Sequence, residues 1–427
     1  MIEGGTIMKS GGLLRLTACV ALMIALLGSI SGMATGQGSR LFHDKLGAPS
    51  WQGPFEQMAE LAAEEVGVGW ETMGYANTDM HQTAVRTSLP STRAPEMFTW
   101  WSDFRMEALY KTGNLVDVTE AWDNRADEYN PALRKAFEFD GRVYGVPSNL
   151  AYWSVWYSKS VFEEHGIELP KTWDELMEIC ELLVDKGITP FGQTVQGRWP
   201  TFIWFQEILT RLDPNAYEAL MIGKINYDHP TVRHAFDIWQ DMLEKGYFVD
   251  GGTDLFADCP RMLVNGQIAM ILIGDWYTDG LDGVGLKAGV DYDTFILPVI
   301  NEEVGNVIIY EAAPILFGEK AANSKDAIKI AEWWLSPETQ TRWCSILGFI
   351  PPNAKSDGSF LAEPKKNLLA RINEGNYRLV NRYWEATPTE ICEAAVDEFA
   401  RFMLNPDQKE DVISVLTTIA DRYWSGQ

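Results

Sequence analysis

The sequence is short of cations and has few histidines. Thirty-five Lys and Arg residues stand against 60 Asp and Glu, a formal net charge of -25 over 427 residues. A nucleic-acid binder needs a cationic footprint for phosphates, and so does a protein held on an anionic membrane, so both classes are excluded. The five histidines are His43, His81, His165, His229 and His234. His229 and His234 are five apart rather than the four that turns both towards one metal from a helix, and no HExxH occurs. The phosphate-cradling GxxxxGK[ST] loop, the GxGxxG turn and the GxSxG elbow are missing too. Asp291 and Asp293 lack the other ligands of a calcium loop. No CxxC pair occurs among the five cysteines, which excludes a structural zinc and a thioredoxin-type site. Catalytic residues, metals and cofactors are therefore not expected.

Long apolar runs are scarce as well. Leu16–Leu27 (LTACVALMIALL) is about as long as a signal h-region and too short to anchor in a bilayer. Met8, Lys9 and Arg15 precede it, with Met8 a second candidate start, and Gly32-Met33-Ala34 supplies small residues where a signal peptidase cuts. Residues 1–38 read as a signal peptide and the mature chain as exported. Leu16-Thr17-Ala18-Cys19 has the letters of a lipoprotein box, but the apolar run follows the cysteine instead of preceding it. Cys180, Cys259, Cys344 and Cys392 then remain, and their spacing leaves the pairing open.

What is present is an α/β pattern without internal repeats or low-complexity linkers. At 427 residues the chain exceeds one ordinary core, so two lobes are expected. Helices are predicted over Phe55–Glu65, Thr78–Ser88, Arg105–Thr112, Pro230–Lys245 and Ser324–Leu335, and strands over Val66–Trp70 and Pro95–Thr99. Thr172 and Glu175 make a capping box for a helix running to about Asp185.

Tryptophan is abundant, with 17 in the chain. Several fall beside polar groups where strands should end: Trp51, Trp100-Trp101-Ser102-Asp103, Tyr152-Trp153, Gln196 with Arg198-Trp199, and Asp275-Trp276-Tyr277. Binding residues of α/β folds concentrate at such positions. Indole faces stack on the C–H faces of sugars while carboxylate and guanidinium groups take the hydroxyls. Trp239, Trp333, Trp334 and Trp343 keep helical periodicity and read as packing, and so does Trp173. Trp156 and Tyr157 fit either role.

Several segments, in order, resemble carbohydrate-binding extracellular solute-binding proteins of ABC importers, the maltose and multiple-sugar group. They are Ala94-Pro95-Glu96-Met97-Phe98-Thr99-Trp100, Gly113-Asn114-Leu115-Val116-Asp117, Asp140-Gly141-Arg142-Val143-Tyr144-Gly145-Val146-Pro147 and Trp156-Tyr157-Ser158-Lys159. Val264 to Met270 with Gly274-Asp275-Trp276, and Gly348 to Pro351, complete the set. The resemblance covers essentially the whole mature chain. It implies a two-lobed α/β fold of the type II, Venus-flytrap kind, with crossings near Ser148–Ala151, Leu297–Ile300 and Pro352–Lys355. The lobes would be 39–149 with 299–353, and 150–298 with 354–427. It also implies a monomer that binds a sugar, with several tryptophans favouring an oligosaccharide, and passes it to ABC permease subunits. Trp100 and Asp103 would be first-lobe contacts, Trp276 a second-lobe platform, and Gln196, Arg198 and Trp199 a hydroxyl-binding loop. Glu311, where many members have glycine, would reach the cleft floor. Two rivals remain. One is a peptide or polar-solute binder of the same fold, clamped by Arg198 and Glu311. The other is a secreted glycan-acting enzyme with facing carboxylates.

Overall fold

The computed structural model describes residues 38–46 and 50–426, so all of the expected leader except Gly38 lies outside the described residues. The strands are β1 (Ser39–His43), β2 (Trp70–Gly74), β3 (Met97–Thr99), β4 (Glu138–Phe139), β5 (Arg142–Val143) and β6 (Gly145–Ser158). They continue with β7 (Thr189–Gly192), β8 (Ile268–Gly274), β9 (Tyr292–Phe295), β10 (Val307–Phe317) and β11 (Arg378–Asn381). β4 and β5 form a separate hairpin. The other nine make one mixed sheet in the order β2-β1-β3-β10-β6-β8-β7, with β11 on β10 and β9 on β6. β1 is parallel to β2 and β3, and β10 runs antiparallel to β3 and β6.

β6 and β10 run side by side through the middle of the molecule. All 14 residues of β6 are buried, and Tyr152 pairs with Tyr310, and Ala151 with Glu311. Val146, Leu150 and Tyr152 belong to a first hydrophobic core, while Trp153, Val155 and Trp156 belong to a second. The first core also takes Phe42, Phe55, Phe98, Trp334 and Trp343. The second takes Phe205, Phe236, Trp239, Phe399 and Phe402. Leu361, Leu368 and Ile372, expected with the second lobe, pack in the first core. The helix Glu363–Glu374, which carries Leu368 and Ile372, is tied there by Lys365, whose ammonium donates to the Gly348 carbonyl at 2.7 Å.

The local signals act as their chemistry requires. Thr172 accepts from Glu175 N and the Glu175 carboxylate reaches back, so the capping box opens the helix Trp173–Asp185. The helix Thr78–Ser88 starts and stops at the predicted residues, capped by Asn77. The strand predicted at Val66–Trp70 begins instead at Trp70. Gly67, at φ 69°, ends the preceding helix Gln52–Val66 in the left-handed region, and the chain needs the next residues to turn. Trp239, Trp334 and Trp343 are fully buried packing residues, and Trp156 joins them. The four cysteines after Cys19 are free and buried. Among the described residues no helix is long and apolar enough to cross a membrane.

Candidate functional site

The walls of a cavity of about 360 Å³ come from residues of both cores. Six aromatic side chains line it: Trp51, Trp101, Trp199, Trp276, Phe349 and Trp384. Trp51, just ahead of the helix Gln52–Val66, is fixed edge-on against Trp343 and Phe349 at 5.5 and 5.6 Å. Trp101 follows β3 and packs against Trp100 at 5.3 Å, with the Lys45 ammonium 5.8 Å from its ring centre. Trp276 lies two residues past the end of β8, 6.1 Å from Trp199 and 6.5 Å from Trp153. Beyond it the aromatic wall continues to Phe256, 6.2 Å away and 45% exposed.

The polar lining is charged and paired. Arg382, just after β11, holds Glu311 of β10 through one guanidinium nitrogen and Glu385 through two others, with its Nε donating to Glu385 at 2.8 Å. Trp153 Nε1 donates to Glu311 at 3.3 Å. Burial pushes the Glu311 pKa up, Arg382 opposes the shift, and the nearby Glu385 charge adds to it. At the end of β1, Asp44 accepts from the Thr78 hydroxyl at 2.9 Å and lies 3.2 Å from Lys45 Nζ. Burial works against its ionisation, but Lys45 and Thr78 outweigh that and hold it below the usual carboxylate range. Asn149 and Thr78 add neutral hydrogen-bonding groups.

Of the residues predicted from sequence, Trp51, Trp101, Trp199, Trp276 and Glu311 meet at this cavity. Trp153 stands directly behind it, bonded to Glu311. The others are placed elsewhere. Trp100 is buried and gives its indole N–H to the Arg105 carbonyl at 2.8 Å, so it is the packing member of the Trp100-Trp101 pair. Asp103, at a positive φ of 47°, opens the helix Asp103–Tyr110 and accepts from the Asn381 side chain. Its pKa is pushed up to about 7, by burial against the Asn381 hydrogen bond and with the Glu385 charge adding to the rise. Tyr152 packs in the first core, and the buried Tyr277 donates to the Leu255 carbonyl. Asp275 is 1% exposed, 3.5 Å from Tyr152 N, and burial lifts it to about 7 against the Lys365 charge. Gln196 donates to the Gly252 carbonyl at 2.5 Å. Arg198 is bound to Asp397 at 2.7 Å and Glu393 at 3.1 Å. The peptide clamp imagined from Arg198 and Glu311 is therefore not assembled: Glu311 lines the cavity, and Arg198 is engaged away from it.

Sequence reasoning missed Asp44, Lys45, Phe349, Arg382, Trp384 and Glu385. Two signals were available. Asn381-Arg382-Tyr383-Trp384-Glu385 sets an indole between charged residues just past a strand, as Asp275-Trp276-Tyr277 does. Asp44-Lys45 puts two opposite charges just past β1.

The profile of the bacterial extracellular solute-binding proteins matches residues 47–341. The chain belongs to this family. Its relatives include an uncharacterised ABC transporter extracellular-binding protein of Pyrococcus horikoshii, 24% identical over 335 residues, covering 77% of this chain and 71% of that one. Another is the maltotriose-binding protein of Pyrococcus abyssi, 22% identical over 280 residues, 63% of this chain and 57% of the relative. Among solved structures, the bacterial solute receptor AcbH, described with an exclusive preference for β-D-galactopyranose, superposes with a TM-score of 0.75 at 19% identity. That match covers 91% of this chain and 98% of AcbH, so the solute-binding protein has the two-lobed fold.

Proposed function

We propose that this solute-binding protein captures a sugar in the aromatic cavity, without turnover, and delivers it to the transmembrane permease of an ABC importer. The observation that carries the reading is the lining itself: six aromatic rings interleaved with three carboxylates, one arginine and one lysine. Pyranose rings have apolar C–H faces for stacking and a rim of hydroxyls for charge-assisted hydrogen bonds. Trp51, Trp101, Trp199, Trp276 and Trp384 are the stacking candidates, and Asp44, Glu311, Arg382 and Glu385 the hydroxyl partners. The two halves close on the sugar because the closed form makes more contacts with it. The leader, residues 1–38, directs export.

A thermal-shift screen of the mature chain against mono-, di- and trisaccharides, amino acids and short peptides tests this. Binding to the folded state raises Tm by mass action. The expected result is a shift with a saccharide that is recovered intact afterwards. A shift with peptides or amino acids alone, or conversion of the saccharide, would refute the proposal.

A further inference from the structure

We infer that Arg105 is a positioning residue for the cavity-facing indole of Trp384, and that Glu393 holds both Arg105 and Arg198 to the task. The inference rests on the sugar-binding reading of the same cavity.

Arg105 lies on the helix Asp103–Tyr110, whose Met106 and Leu109 pack in the first core. Trp384 packs against the second core and lines the cavity. Arg105 is only 6% exposed, yet no Asp or Glu of its own core pairs with it among the described residues. It spends its donors on the other half instead. Nε donates to the Trp384 carbonyl at 3.0 Å and Nη2 to Glu393 Oε1 at 3.1 Å. The guanidinium carbon sits 3.6 Å from the Trp384 ring centre, a close cation–π contact. Phe202 packs on the same indole with ring centres 6.2 Å apart and an interplanar angle of 29°. The backbone, one ring face and a second aromatic thus fix the indole before any ligand arrives, which lowers the ordering cost on binding.

Glu393, together with Asp397, holds Arg198 away from the cavity. Its second oxygen accepts from Arg198 Nη1 at 3.1 Å and its carbonyl from Arg198 Nη2 at 2.8 Å. Arg198 directly precedes Trp199, another wall of the cavity. One carboxylate therefore joins the two arginines that stand beside two of the cavity's indoles. The bond between Asp103 and Asn381 ties the same helix to the same segment a second time.

The test is a double-mutant cycle on the affinity of the saccharide found by the screen, measured by calorimetry on the mature chain. Arg105→Met should weaken binding about tenfold. Trp384→Ala should weaken it more, and adding Arg105→Met to Trp384→Ala should cost nothing further. Losses that simply multiply would overturn the inference, because a general structural role of Arg105 does not depend on the indole. Should Arg105→Met fail to fold, Arg105→Lys takes its place, keeping the charge but not the planar guanidinium, with a smaller loss that must also vanish in the Trp384→Ala background. A wild-type chain that binds no saccharide would defeat the sugar reading and this inference together; a binding wild type with multiplicative losses would defeat the inference alone.

Discussion

Arg211 and Arg382 are both enclosed against glutamates, Arg211 fully and Arg382 nearly so, and of the two Arg382 meets the cavity. Arg211 and Glu207 lie one turn apart on the helix Ile203–Leu212, both fully buried, with Arg211 Nε donating to the Leu297 carbonyl at 3.0 Å. Burial lifts Glu207 to about 7 although Arg211 is beside it. Arg382 is nearly enclosed among carboxylates too, but its partners are Glu311 from β10 and Glu385 from the short helix Tyr383–Ala386, and all three line the aromatic cavity. Burial and charge pairing are common to both clusters, so neither marks a binding site. The open volume and its indoles make the difference.

Removing each arginine should separate the roles. Arg382→Met leaves Glu311 and Glu385 without their cation, and should cost about 3–5 kcal/mol of folding stability and abolish saccharide binding. Chemical denaturation and calorimetry read the two losses. Arg211→Met should cost about 3 kcal/mol of stability and leave the saccharide affinity of the folded fraction unchanged. A lost affinity there would erase the distinction between the clusters.

pH sharpens the comparison. Glu207 and Asp275 both have folded pKa values near 7, above those of an unfolded carboxyl. Between about pH 4 and pH 7 the folded chain holds protons that the unfolded chain has released, so stability falls as pH rises through that window and levels off above it. A thermal-melt series should show this decline. Asp275→Asn should flatten it by up to about 4 kcal/mol, since the amide carries no proton to lose. An unchanged slope would remove Asp275 from the account. The smallest effect is expected at the rim. Phe256→Ala should weaken the longest saccharide bound by about 0.5–1.5 kcal/mol and leave Tm and the shortest ligand unaffected, checked by parallel titrations.

The sequence made the architecture legible wherever local chemistry is self-sufficient. The Thr172–Glu175 box and the Asn77-capped helix Thr78–Ser88 depend on neighbours a few residues away. The strand after Val66 was misplaced because one left-handed glycine decides where a helix ends and how long the turn lasts. In the site, indoles flanked by charge were visible, but which face points inwards depends on pairing across the sheet. Trp100 and Trp101 have nearly identical surroundings in sequence, and only the path out of β3 sends one to the core and the other to the cavity. Arg198 looked free to bind ligand, while its partners Glu393 and Asp397 lie almost 200 residues away. Arg382 was illegible for the same reason: Glu311 reaches it from 71 residues off.

The central claim is that the aromatic cavity holds the sugar, and Trp276 tests it most directly, because it contacts the rings of Trp153, Trp199 and Phe256. Calorimetric titration of the wild-type chain and of Trp276→Ala with the saccharide found by the screen is the decisive measurement. The account predicts saturable binding in the wild type and a loss of more than about 2 kcal/mol in the variant, with folding intact. Equal affinities in the two proteins would contradict it.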